Sequence, residues 1–135
     1  MPDKPVVTVP DTAPPTDLVK IDDVVGDGPE AASGQTVTVH YVGVSWSTGQ
    51  QFDASWDRRE PFQFGLGAGM VIQGWDDGVI GMKKGGRRIL VIPADQAYGP
   101  TGQPPTIPAD SPLVFVVDML KITPAKAGGT TATTP

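Results

Sequence analysis

The fold is decided by the stretch VIQGWDDGV at positions 71–79. Its apolar residues fall at Val71, Ile72, Trp75 and Val79, and the spacing of three or four residues continues to Met82. This spacing is typical of one face of a short amphipathic helix. We therefore predict a single short helix, whose tryptophan either belongs to the core or forms the floor of a site.

Strand patterns dominate the sequence around this helix. Short alternating or β-branched runs, separated by glycine and proline, predict strands near 17–25, 35–43, 62–64, 87–92 and 113–122. The first run mixes apolar and acidic residues, which favours an edge strand. The last run is apolar on both faces through Val117, so we expect a central strand. Together these patterns predict one helix laid against a curved sheet.

The composition indicates one domain and argues against several classes of function. A chain of 135 residues has room for one substantial core. Its net charge of −5 argues against nucleic acid as a partner, because that binding depends on lysine and arginine. No stretch approaches the ~20 apolar residues of a membrane span and no secretory signal pattern is present, so we expect a cytoplasmic protein. With no cysteine and one histidine, we expect no metal and no cofactor.

The composition also predicts where the domain begins and ends. Residues 1–17 are rich in proline and contain no apolar run of useful length, which predicts a flexible or extended leader. Residues 123–135 are mainly alanine, glycine, threonine and proline, which cannot bury enough surface to fold and predict a disordered tail. We expect the folded domain to span residues 18–122.

The histidine gives no sign of nucleophilic chemistry. In the strand near 35–43, Val37, Val39 and Tyr41 share one face, whereas His40 lies on the other face with threonines. The pattern offers His40 no partner, so a structural role is the simpler interpretation. The serines that lack a visible general base are Ser45, Ser47, Ser55 and Ser111. Hydrolase chemistry of the serine and histidine kind is therefore not expected.

The glycines at 65, 67 and 69 suggest a dinucleotide loop, but the pattern fails. Met70 stands where the motif requires glycine, and no βαβ unit surrounds the segment. We interpret these glycines as a flexible lead into the helix.

A set of aromatic and branched residues stands at the ends of the predicted elements. Its members are Tyr41, Phe52, Phe62, Val71, Ile72, Trp75, Tyr98, Ile107 and Phe115. With the Asp53 carboxylate they predict a concave apolar pocket, the usual form of a small-molecule or side-chain site. Phe52 and Asp53 would point to opposite faces of a regular strand, so they can share a cavity only where the backbone bulges. The alternative is that all these residues are ordinary core.

A dense, ordered set of motifs runs from residue 34 to residue 122. Its members are His40, Tyr41, Gly43, Phe52, Asp53, Pro61, Phe62, Phe64, Leu66, Gly67, Val71, Ile72, Gly74, Trp75, Gly78, Val79, Met82, Gly85, Arg87, Ala97, Tyr98, Gly99, Gly102, Ile107, Pro108, Leu113, Val114 and Phe115. In this order and spacing the chain resembles the FK506-binding protein (FKBP) family of peptidyl-prolyl cis/trans isomerases.

The resemblance implies an α+β fold in which a curved antiparallel sheet of five or six strands wraps around one short helix. The pocket would lie between them, with Trp75 beneath a substrate proline. The catalytic residues it implies are Asp53, Tyr98, Trp75, Tyr41 and Phe115. The substrate-binding residues it implies are Tyr41, Phe52, Asp53, Phe62, Val71, Ile72, Trp75, Tyr98 and Phe115. We add Arg58, which could hold Asp53, and Ile107, which belongs to the aromatic and branched set above.

The activity implied is isomerisation of X-Pro peptide bonds, which assists protein folding and needs no nucleophile, metal or cofactor. The expected partners are proline-containing polypeptides and, in the same pocket, macrolides of the FK506 and rapamycin type. We expect a monomer. In the long segment 94–112, Gln103, Pro105 and Thr106 differ from the residues common in the family. The resemblance therefore does not imply a particular substrate preference. Nor does it imply that the complex with a macrolide recruits a protein phosphatase, as it does in family members.

Two other classes of function stay open. One is a binding module that holds a proline-containing partner without useful turnover. The other is a folding helper, or chaperone, whose value lies in binding unfolded chains.

Overall fold

A computed structural model describes residues 4, 5, 7, 9, 15–46, 48–97, 107 and 111–123. In chain order the elements are β1 (Val19–Val24), β2 (Asp27–Glu30), β3 (Thr36–Ser45), β4 (Gln51–Ala54), α1 (Ser55–Arg58), β5 (Phe62–Gly65), α2 (Gln73–Val79), β6 (Lys83–Lys84), β7 (Arg87–Ile92), a 3₁₀ turn (Ala94–Gln96) and β8 (Leu113–Thr123). No helix in the described part of the chain is long and apolar enough to cross a membrane.

Six of these strands form one antiparallel sheet that packs against α2. The order across it is β1-β7-β8-β3-β4, and β5 also pairs with β3. Strand β8 lies between β7 and β3, and β1 lies at an edge. These positions confirm the predicted central and edge strands, and the predicted α+β fold with its antiparallel sheet is confirmed with them.

Helix α2 lies close to β7 because two of its residues have no side chain. A Cβ atom on Gly74 would lie within 3.0 Å of the Ile92 side chain, and one on Gly78 would lie 2.8 Å from Leu90 Cδ2. Both strand residues are fully buried beneath the helix. The two glycines therefore set the distance between the helix and the sheet.

The C-terminal end of α2 is held by an arginine from the sheet. The buried guanidinium of Arg88 donates to the backbone oxygens of Gly78 and Ile80, each at 2.8 Å. It also pairs with the Asp22 carboxylate, at 2.7 Å from Nε to Oδ1. A cation at the C-terminal end of a helix donates to carbonyls that have no partner within the helix, and its charge interacts favourably with the helix dipole. Strands β1 and β7 thus fix where α2 ends.

Two small elements differ from the sequence expectation. Residues 55–58 form the helical turn α1, although the sequence predicted only one helix. Strands β2 and β6 form a two-stranded sheet in segments for which the sequence predicted no strand. Both elements are too short to produce a periodic pattern, so tertiary contacts rather than local sequence select them.

Three described residues of the predicted leader contact the folded domain. Lys4 Nζ donates to Asp57 Oδ1 at 2.7 Å, and Val7 and Val9 pack on the outer face of β3 and β4. The residues beneath and beside them are Val42, Val44, Ala54 and Trp56. These three leader residues therefore contact the domain that follows. Of the predicted tail at 123–135, only Thr123 is described, and it belongs to β8.

We predict that Gly74→Ala destabilises the protein although alanine favours helices. The gain in helix propensity is below ~1 kcal/mol in the first turn, whereas overpacking a core typically costs ~1–3 kcal/mol. We expect urea denaturation to show a net loss of about 1 kcal/mol or more. Asp77→Ala, at an exposed position of the same helix, is the control and should change stability by less than about 0.5 kcal/mol. Equal stability of both variants would show that the helix is not closely docked.

Candidate active site

A pocket of about 210 Å³ opens between α2 and the concave face of the sheet. Its walls are formed by Tyr41, Phe52, Asp53, Phe62, Met70, Val71, Ile72, Trp75 and Phe115. This volume lies below the ~300–1,000 Å³ typical of sites for drug-sized ligands. The pocket therefore suits a single side chain or ring.

Trp75 forms the floor of the pocket and is surrounded by aromatic rings. It is 4% exposed, and its ring meets those of Tyr41 and Phe115 edge to face, with centroids 5.0 and 5.2 Å away. Phe62 and Phe64 complete the set at 6.0 and 5.5 Å. Such edge-to-face pairs are each worth about 0.5–1.5 kcal/mol beyond their buried area. The floor is consequently rigid as well as apolar.

A bulge in β4 brings Phe52 and Asp53 to the same pocket. Gly43 pairs with Asp53 but the next residue of β3, Val44, pairs with Gln51, which leaves Phe52 as the extra residue. Phe52 meets the Phe115 ring at 5.5 Å and 89°. A Cβ atom on Gly43 would lie 2.7 Å from both rings, so glycine is required there. The bulge that the sequence required is present.

The polar part of the site is a cluster of three side chains at the pocket's edge. The Tyr41 hydroxyl donates to Asp53 Oδ2 at 2.6 Å. Arg58 donates from Nη1 to Asp53 Oδ1 and from Nη2 to the Tyr41 oxygen, the latter at 2.9 Å. Both carboxylate oxygens are thus engaged, and the cluster fixes a negative charge beside an aromatic wall.

The electrostatics of the cluster keep Tyr41 and Arg58 each in one protonation state near neutral pH. Burial raises the pKa of Tyr41, and its hydrogen bond to the Asp53 carboxylate raises it further. The hydrogen bonds of Arg58 to Tyr41 and Asp53 raise the pKa of the guanidinium. Tyr41 therefore remains a neutral donor, and Arg58 remains a cation.

The glycine-rich segment before α2 is anchored by the helix itself. Asp76 Oδ1 accepts from the Gly67 amide at 2.8 Å, and Oδ2 accepts from the Gly69 amide at 3.0 Å. Both glycines have positive φ, at 79° and 74°, a conformation that favours glycine. The Asp76 carboxylate already accepts hydrogen bonds from these two amides, so they are not free to bind a phosphate. The anchored segment places Met70 and Val71 at the pocket.

The structure brings together most of the residues that the sequence nominated. Arg58 reaches the site through its bonds to Asp53 and Tyr41. Ile107 is 3% exposed, belongs to the core cluster and is not among the described residues that line the pocket, so its contact with substrate stays a prediction. Tyr98 lies outside the described residues.

Met70 is the lining residue that the sequence interpretation missed. Its side chain is 65% exposed at the rim. The helical spacing begins only at Val71, so no pattern singled Met70 out. A clue was available in its position directly before a helix whose first turn was expected to meet the site.

His40 has a partner, contrary to the sequence interpretation. Its Nδ1 lies 2.7 Å from Ser55 Oγ, so the expectation that Ser55 lacks a neighbouring base is wrong. Both residues are buried on the face of β3 opposite the pocket, at 5% and 0% exposure. A substrate cannot reach them there, and the structural interpretation of His40 stands. No group of three or more potential metal ligands occurs among the residues that the structure describes.

Comparisons with known proteins agree with this geometry. Residues 28–120 match the family FKBP_C, described as FKBP-type peptidyl-prolyl cis-trans isomerase. An FK506-binding protein of Streptomyces anulatus is 55% identical over 121 residues, covering 89% of this chain and 98% of that protein. A probable FK506-binding protein of Corynebacterium glutamicum is 47% identical over 118 residues, covering 87% of this chain and 98% of that protein.

Solved structures agree as well. The crystal structure of AtFKBP13 superposes with a TM-score of 0.71 at 41% identity, covering 77% of this chain and 91% of that one. The structure of FkpA from Escherichia coli gives a TM-score of 0.72 at 42% identity, covering 81% of this chain and 49% of that one. The chain belongs to the FKBP-type peptidyl-prolyl cis-trans isomerases, enzymes that interconvert the cis and trans forms of X-Pro peptide bonds.

We predict that Tyr41 contributes stability that is lost in alkali. Its folded-state pKa is raised above the ordinary value of 10.0, so the contribution is complete below pH 10 and disappears as the pH rises through the folded value. Urea denaturation from about pH 8 to about pH 11 should therefore show a steeper loss of stability in the wild type than in Tyr41→Phe. Parallel curves for the two proteins would contradict this prediction.

Proposed function

We propose that the pocket accelerates X-Pro isomerisation by holding the proline ring over Trp75 and by placing the Asp53 carboxylate beside the reacting amide. The observation that carries the proposal is the position of Asp53. Its carboxylate is fixed by Tyr41 and Arg58 and belongs to the wall of a pocket that is otherwise lined by aromatic and aliphatic side chains. A charge fixed in advance costs no reorganisation when the reaction occurs.

The chemistry of the bond explains why such a pocket is sufficient. Rotation about an X-Pro bond crosses a barrier of ~18–20 kcal/mol that arises from amide resonance. In the twisted transition state the bond loses double-bond character and charge separation falls. An apolar environment therefore favours the twisted state over the planar, more polar ground state.

Each part of the pocket has a separate role in this proposal. Phe62, Val71, Ile72 and Phe115 grip the ring beside Trp75 and exclude water. Asp53 acts by electrostatics on the carbon of the substrate carbonyl. The resemblance alone gives the Tyr98 hydroxyl a hydrogen bond to the substrate carbonyl, because this residue lies outside the described part of the chain.

We predict that Asp53→Val and Trp75→Ala each lower the rate of isomerisation by at least about tenfold, which corresponds to about 1.4 kcal/mol of transition-state stabilisation. The first variant removes the fixed charge and the second removes the floor of the pocket. NMR exchange spectroscopy on a short proline peptide measures the rate directly.

Asp77→Val is the matched control, because it removes an equal charge from the exposed side of α2, away from the pocket walls. Its rate should equal that of the wild type. Unchanged rates in both Asp53→Val and Trp75→Ala would contradict the assigned site. A wild type that binds the peptide without turnover would favour the binding-module alternative instead.

We also propose that macrolides of the FK506 and rapamycin type bind this pocket. Two observations support this proposal. The lining around Trp75 is apolar, and two relatives that the chain matches over 98% of their length are named as an FK506-binding protein and a probable FK506-binding protein. Given the pocket's size, only one part of so large a ligand would enter it.

Titration with FK506 should change the tryptophan fluorescence of the wild type, because the ligand would cover Trp75. In Trp75→Phe the fluorescence change should disappear, although Trp46 and Trp56 remain. A change that persists in Trp75→Phe would place the ligand elsewhere.

A cytoplasmic location and a monomeric state are proposals that rest on the sequence. Cell fractionation tests the first, and sedimentation equilibrium tests the second.

A further inference from the structure

A buried polar cluster lies behind the site, on the opposite face of β3. Its centre is Ser55 Oγ, which is 2.7 Å from His40 Nδ1 and 2.7 Å from the Tyr41 amide nitrogen. The Tyr41 carbonyl oxygen lies further away, at 3.4 Å. One hydroxyl thus joins the histidine to the backbone of the residue whose side chain enters the pocket.

The hydrogen bonds of the cluster limit where its protons lie. The Tyr41 amide can only donate, so Ser55 Oγ accepts from it. The Ser55 hydroxyl proton has two possible acceptors, the nearer His40 Nδ1 and the Tyr41 carbonyl oxygen, and the tautomer of His40 decides between them. When Ser55 donates to Nδ1, the imidazole is neutral and carries its proton on Nε2. Burial lowers the pKa of His40, and the Asp118 carboxylate, itself paired with Arg87, opposes this only in part.

The histidine also holds the next residue of α1. The rings of His40 and Trp56 are stacked, with centroids 4.3 Å apart and planes inclined by 19°. Trp56 in turn packs against Val42, Val44 and Ala54 on this outer face. His40 therefore contacts the first two residues of the helical turn, one by a hydrogen bond and one by stacking.

The position of α1 in the chain connects this cluster to the site. Ser55 is two residues after Asp53 and three before Arg58, so it stands between the two residues that form the ion pair. The side chain of Ala54, the N-cap residue of α1, offers no cap, so the outer cluster supplies the anchor. A shift of α1 relative to β4 would separate the Arg58 guanidinium from the Tyr41 hydroxyl and from the Asp53 carboxylate.

We propose that His40 is a positioning residue for isomerisation: through Ser55 and Trp56 it holds α1 so that the Arg58 guanidinium meets the Asp53 carboxylate and the Tyr41 hydroxyl. This proposal rests on the roles proposed above for Asp53 and Arg58. The ion pair between Arg58 and Asp53 is partly exposed, so its attraction is weak and cannot fix the position of α1 alone. The buried contacts of His40 with Ser55 and Trp56 fix α1 in place.

Two substitutions separate the contacts of His40. His40→Phe keeps a ring to stack on Trp56 but removes the hydrogen-bond partner of Ser55, and His40→Asn keeps a polar group near Nδ1 but removes the ring. We expect kcat/KM to fall about five- to tenfold in His40→Phe and in Ser55→Ala, and less in His40→Asn. Ser55→Ala is the smaller change, so its kcat/KM still tests the proposal if His40→Phe folds poorly.

The decisive measurement is a double-mutant cycle with Arg58→Ala, because a residue that acts through Arg58 has nothing left to position when Arg58 is absent. In the Arg58→Ala background, His40→Phe should cause no further loss of kcat/KM while still lowering the urea midpoint. Val91→Ala, a buried change on β7 that touches neither α1 nor the pocket, controls for loss of stability and should leave kcat/KM unchanged.

Each outcome bears on one proposal. An equal loss of kcat/KM from His40→Phe in both backgrounds, or no loss in either, would overturn the positioning role. No loss in Arg58→Ala or Asp53→Val themselves would overturn the proposed function of the ion pair, which is a separate failure.

Discussion

The close contact between α2 and strand β7 is the constraint on which the pocket depends. Gly74 and Gly78 allow it, because any larger residue would meet the side chains of Ile92 and Leu90. Arg88 then fixes the end of the helix through two of its carbonyls. With the helix set at this distance, Trp75 falls among the rings of Tyr41, Phe62 and Phe115, which come from three different strands. The pocket is a consequence of how the helix is docked.

The polar edge of the site follows a different principle. Ion pairs that remain partly exposed contribute little to stability, about 0–1 kcal/mol. The cluster of Tyr41, Asp53 and Arg58 therefore matters for where it places charge rather than for how tightly it holds the fold. Its members come from a long strand, a bulge and a helical turn. Their alignment requires support from outside the cluster, and His40 and Ser55 lie where such support is needed.

The features that sequence could predict are those with a local pattern. Helical spacing located α2, and apolar residues on both faces located β8 as a central strand. The bulge at Phe52 followed from requiring two adjacent residues to share a cavity. Residues 55–58 gave no signal, because a single helical turn is shorter than the period that would reveal it.

The remaining features depend on contacts between distant parts of the chain. Arg88 reaches the end of α2 from strand β7, and His40 meets Ser55 fifteen positions further along the chain, beyond a hairpin. Alternation placed His40 correctly on the outer face but could not indicate what lay opposite it. A lone histidine in a pattern therefore says nothing about its partner.

The central claim is that a substrate proline rests on Trp75 inside this ring of aromatic residues. Isotope-filtered NOE spectroscopy of labelled protein with an unlabelled proline peptide tests it directly. The account predicts cross-peaks from the proline ring protons to the Trp75 indole and to Phe62 or Phe115. Cross-peaks confined to other surfaces, with none to Trp75, would contradict it.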